Sequence, residues 1–140
     1  ADSCVTGYYL DTCNNVGLYS CGTEVETGNA FVITGGVCPR LLSCFVSTNN
    51  AIGAYFTGST QNGFIQGFRE NAPTGSATAS IQVDSGCRVT VGGNSLVTAT
   101  NLNANAATII NGQEFYCAGN SGTSSFQLNR GATAATVFSV

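Results

Sequence analysis

Nowhere in the 140 residues do apolar side chains recur at i, i+3, i+4 and i+7 over a helical length, and this absence constrains the fold most. The chain offers instead short runs of Val, Ile, Phe, Tyr and Thr, interrupted at close intervals by turn residues, among them 18 glycines. That pattern predicts an all-β fold: an antiparallel sandwich or jelly-roll-like barrel. Three hairpins are expected. Cys87–Val91 and Leu96–Thr100 flank Gly92-Gly93-Asn94-Ser95; Thr108–Ile110 and Gln113–Cys117 flank Asn111-Gly112; Ala54–Thr57 and Phe64–Phe68 flank Gln61-Asn62-Gly63. The tail, Thr133–Val140, is expected to form a last strand, and no internal repeat stands out.

A chain of this length is read as a single extracellular β domain, 1–140, able to bury roughly two-thirds of its unfolded surface. Five of the seven cysteines, Cys4, Cys13, Cys21, Cys38 and Cys44, lie before residue 46. Residues 1–45 are therefore expected to be a disulfide-stapled arm or cap, and 46–140 a regular β body. The pairs expected are Cys87 with Cys117, Cys38 with Cys44, and Cys13 with Cys21. Cys4 is left as a free or intermolecular thiol, because seven is odd. No Cys-x-x-Cys pair occurs and the chain has no histidine, so neither a zinc finger nor thioredoxin-type redox chemistry is expected.

The same lack of histidine closes the Ser-His-Asp and Cys-His routes to catalysis. Glu24 and Glu26 would share a strand face and could serve as paired carboxylates, but Glu-Val-Glu between threonines reads more simply as a solvated face with Val25 inward. With Asp2 or Asp11 the pair has oxygen ligands for Ca²⁺, yet no Asp-rich loop accompanies it. No catalytic residue, cofactor or metal is assigned, and the chain is not expected to be an enzyme. Tyr8-Tyr9 and Tyr55-Phe56 place one ring inward and its neighbour outward, and an outward tyrosine suits a sugar or an interface.

Eleven charged residues and a net charge of −3 leave no basic patch, so no nucleic-acid partner is expected. No apolar run approaches the roughly 20 residues of a membrane-spanning helix. The chain opens on Ala1, as a mature exported protein would. A neutral surface of Asn, Ser, Thr, Gln and Gly is covered by neighbours at small desolvation cost and repels them little. The segment from Gly112 to Val140, with Tyr116 and Ser125-Phe126-Gln127-Leu128, resembles short β-repeats of phage tail and bacterial surface proteins over about a fifth of the chain. Together these features lead us to expect an exported structural subunit, extracellular or at the cell surface, whose partners are copies of itself in a filament, pilus-like fibre, coat or layer. The alternative is a secreted lectin-like or host-interacting module that binds glycans.

Overall fold

The computed structural model describes residues 4–24, 27–48, 51–71, 77–96, 100–105, 109–110, 116–117, 125–130 and 133–139; beyond Leu96, only the side chains of Leu102 and Asn103 are described. The chain winds as a parallel β-solenoid of about four turns, each turn contributing a strand to each of three sheets. The first turn holds β1 (Tyr8–Asp11), β2 (Gly17–Tyr19) and β3 (Gly22–Thr23), and the second holds β4 (Phe31–Thr34), β5 (Arg40–Leu42) and β6 (Phe45–Val46). β7 (Ile52–Thr57), β8 (Gly63–Gln66) and β9 (Arg69–Glu70) form the third; β10 (Ala79–Val83), β11 (Val89–Gly92) and β12 (Ser95–Leu96) form the fourth. β13 (Thr100–Asn105), β14 (Ile109–Ile110) and β15 (Tyr116–Cys117) continue the spiral, and β16 (Ser125–Arg130) and β17 (Thr133–Ser139) end the long sheet.

That sheet has seven strands in the order β1-β4-β7-β10-β13-β16-β17; the second runs β14-β11-β8-β5-β2 and the third β15-β12-β9-β6-β3. Among the described strands only β16 and β17 pair antiparallel. The antiparallel sandwich or barrel is thus corrected. β7 and β8 lie in different sheets, as do β11 and β12, so Gly92-Gly93-Asn94-Ser95 and Gln61-Asn62-Gly63 turn corners of the coil instead of closing hairpins. Asn111-Gly112 lies outside the described residues, but the strands on either side of it, β14 and β15, also belong to different sheets. The expected tail strand is present as β17.

A repeat underlies the coil. Tyr8 pairs with Phe31, Phe31 with Ala54, Ala54 with Ile81, Ile81 with Leu102 and Leu102 with Phe126, steps of 23, 23, 27, 21 and 24 residues. Its corners share a backbone need rather than a residue type. Ser20, Ser43, Gly67 and Gly93 follow register-matched strand ends, and all four adopt left-handed φ values between 53° and 65°. Asn15, Cys38 and Asn62 form a second such column, at 53–58°. Left-handed backbone bends the chain sharply, and glycine enters it without steric cost while other residues do not.

Inside, alternation and stacking combine. Leu10, Ile33, Phe56 and Val83 occupy one inward column of the long sheet, and all four are buried. Tyr8, Phe31, Ala54, Ile81 and Leu102 form another, with the Tyr8 and Phe31 rings stacked at 5.1 Å. Leu18, Leu41, Ile65 and Val91 stack from the second sheet. Corner asparagines tie turns together: the Asn14 side-chain oxygen accepts from Val37 N–H, that of Asn29 from Ile52 N–H, and that of Asn94 from Phe68 N–H. Such bonds satisfy backbone groups that the bends take out of the ladders.

The stapled arm is corrected as well. β1 to β6, from Tyr8 to Val46, are the first two turns of the same coil, and Leu10, Phe31, Ile33, Leu41 and Val46 belong to the common core. Among the described residues no disulfide is found, and Cys13, Cys21, Cys38, Cys44 and Cys87 carry thiols. Cys38 and Cys44 flank β5, while Cys13 and Cys21 flank β2. An extended three-residue strand alone spans roughly 10 Å, beyond the 4.4–6.8 Å Cα separation of a bridge. Cys87 is buried ahead of β11; the side chain of its expected partner, Cys117, lies outside the described residues.

Candidate functional site

Two surfaces draw attention, and both follow from the coil. One is the edge of the first turn. Among the described residues β1 pairs only with β4, β2 only with β5 and β3 only with β6. Tyr8 and Thr12 donate their N–H groups to Ala30 and Thr34, so strand alternation turns the N–H groups of Tyr9 and Asp11 the other way, off the free edge. Across the three first-turn strands Asp11 is the only charged residue, with no lysine or proline to deter pairing. At the far end β17 pairs only with β16 and carries no charge. Exposed apolar side chains gather near the first-turn edge: Val5, Tyr9, Tyr19, Val37 and Phe45.

The other surface is the outer face of the long sheet. Tyr9, Val32, Tyr55, Gln82 and Asn103 form one outward column, and Asp11, Thr34, Thr57 and Asp84 the next. Three of these neighbours fix Asp84. Its Oδ2 accepts from the Tyr55 hydroxyl at 2.6 Å and from Thr57 Oγ1 at 2.7 Å, and its Oδ1 accepts from Gln82 Nε2 at 3.0 Å. Burial pushes this carboxyl up, but hydrogen bonds from Thr57, Tyr55 and Gln82 outweigh it and hold Asp84 below the ordinary aspartate value. The Tyr55 phenol is raised, first by its bond to Asp84 and then by burial. The result is a rigid carboxylate beside a half-buried ring, an arrangement able to accept hydrogen bonds from a polyol and to stack against its apolar side.

The residues singled out from the sequence are dispersed. Glu24 is exposed, while Glu26 and Asp2 lie outside the described residues. Asp11 is exposed and accepts from its neighbour Thr12. Cys4 is exposed, and its carbonyl accepts from Thr27 N–H. Cys38 lies in the corner column of Asn15 and Asn62, apart from Cys13 and Cys87. Cys21 and Cys44 stack. Among the described residues no group of three or more Cys, Asp or Glu side chains is placed to hold a metal ion, and no helix is long and apolar enough to cross a membrane. The Asp84 cluster was not foreseen. Tyr55 and Thr57 lie 29 and 27 residues from Asp84, and only the turn-to-turn register shows that they are its neighbours.

The fold and these surfaces define a small parallel β-solenoid whose long sheet ends, among the described strands, in β1 and β17 and carries Asp11 and Asp84 on its outer face. Searches against protein-family models, curated proteins and solved structures find no match to the chain.

Proposed function

We propose that this protein is a structural subunit that assembles with copies of itself by strand addition at the ends of its coil. The observation that carries the reading is the outer edge of β1, which among the described residues pairs only with β4 and carries the single charge of Asp11. The two ends differ, one a parallel strand and the other the antiparallel β17, so joining them is heterologous and propagates as a fibre. An extracellular or cell-surface setting belongs to the proposal, resting on low charge and the absence of lysine rather than on disulfides.

Light scattering and negative-stain microscopy of the native material test it. Elongated particles are expected, and Tyr9→Pro should reduce them to monomers, because proline removes an N–H that faces away from β4 and leaves the β1–β4 ladder intact. A native protein that stays a monodisperse monomer at high concentration sinks the reading. A second reading, a glycan-binding module, is favoured by the Tyr55–Asp84 ledge. Retention on a neutral polysaccharide column, lost in Tyr55→Ala, would support it.

A further inference from the structure

The corner that carries Ser20 and Ser43 brings two thiols together. β2 pairs with β5 and β3 with β6 at the same 23-residue step, so Cys21, between β2 and β3, lies directly against Cys44 on the next turn. Phe45 N–H donates to the Cys21 carbonyl at 2.9 Å, which locks that stacking. The Cys44 thiol is buried and points at the Leu18 carbonyl, 3.3 Å away; the Cys21 thiol, half-buried, points at that of Tyr19 at 3.6 Å. Cys44 belongs to the common core, and the side chains of Cys21 and Tyr8 pack against it.

Stacked residues on neighbouring parallel strands are about 4.8 Å apart with their Cα–Cβ bonds side by side, so their Cβ atoms are spaced similarly. A disulfide requires Cβ atoms about 3.5–4.5 Å apart, so the ladder itself resists closing one here. One ion placed between two sulfurs, with metal–sulfur bonds of about 2.3 Å, needs a sulfur separation close to the strand spacing. No third Cys, Asp or Glu joins the pair among the described residues, which excludes the tetrahedral set that zinc requires. Thiolate pairs of this softness select Cu(I).

We propose that Cys21 and Cys44 form a two-thiolate site for one Cu(I) ion, entered from the first-turn end where Cys21 is partly exposed. Both thiols give up their protons, Cu⁺ bonds to both sulfurs, and the product carries one net negative charge with no change in oxidation state. Loading releases both thiol protons, so occupancy falls as pH is lowered.

Anaerobic titration of the reduced full chain with Cu(I), in competition with a Cu(I) chelator and read by native mass spectrometry, tests the site. One ion should be held tightly. Cys21→Ser and Cys44→Val should each weaken it by more than the roughly 10–100-fold that loss of an outer-shell partner costs, whereas Cys13→Ser should leave it unchanged. Cys44→Val keeps an apolar group in the core, and far-UV circular dichroism confirms that it folds. X-ray absorption should find two sulfur neighbours. Wild-type affinity in either ligand variant, a first shell of three or more ligands, or a Cys21–Cys44 disulfide formed on mild oxidation of the metal-free protein would each overturn the assignment.

Discussion

The long sheet and the third sheet face the same core and fill it differently. Along the long sheet the inward column Leu10, Ile33, Phe56 and Val83 is wholly apolar. Along the third sheet the corresponding column reads Thr23, Val46, Glu70 and Leu96, with Asn94 buried at the corner before it. β1, β4, β7 and β10 are four to six residues long, while β3, β6, β9 and β12 have two each. A longer strand pairs more of its backbone per turn and presents a full alternating face. A two-residue strand is nearly all corner, where polar side chains find backbone partners. The contrast separates the wall that stabilises the coil from the wall that tolerates polar groups and thiols.

The largest expected effect sharpens the first half of that contrast. Phe56→Ala empties a fully buried site in the long-sheet column and should cost about 3–5 kcal/mol in urea unfolding. Between the two walls, Ser80 Oγ on β10 of the long sheet donates to Glu70 Oε2 on β9 at 2.6 Å inside the protein. Ser80→Ala should cost about 1–3 kcal/mol by the same measurement, since a buried carboxylate loses a donor. Thr23→Val should act in the opposite direction, because Thr23 Oγ1 is buried without a hydrogen-bond partner; a gain of about 1 kcal/mol is expected. If Thr23→Val destabilises instead, the third sheet is as tightly specified as the first, and the comparison fails.

The smallest effect concerns the outer face. Asp84 is held below its ordinary value, so its hydrogen bonds stabilise the fold fully above the unfolded aspartate value. That stabilisation is lost as pH falls through the lowered folded one. The melting temperature of wild type should therefore fall on acidification through that window, and that of Asp84→Asn should fall less. Equal slopes would remove Asp84 from the account of the outer face.

Much of the local structure was legible in the sequence. The alternation in Phe31–Thr34 and Val89–Gly92 marks strands, and Gly93 marks a sharp bend, whereas the expected strand Phe64–Phe68 runs through a bend at Gly67. The partners were not legible. Gly92-Gly93 suits a hairpin and a solenoid corner equally, since both need backbone at positive φ. The repeat escaped notice because its step varies from 21 to 27 residues and its corner column accepts Ser, Ser, Gly and Gly in turn. Cysteine counting led to a framework of bridges because density was taken for proximity, whereas β2 holds Cys13 and Cys21 apart and β5 holds Cys38 and Cys44 apart.

The sequence by itself determined that the chain is all strand and turn, that it bends at Gln61-Asn62-Gly63 and Gly92-Gly93, and which alternate residues of the clearest strands share a face, because period-two alternation and glycine-rich bends are properties of a few adjacent residues. Only the tertiary structure decided that the strands pair parallel in a coil, that Tyr55, Thr57 and Gln82 meet at Asp84, and that Cys21 lies against Cys44. Each of these depends on register between segments more than 20 residues apart, which is set by how inward columns pack against one another around the core.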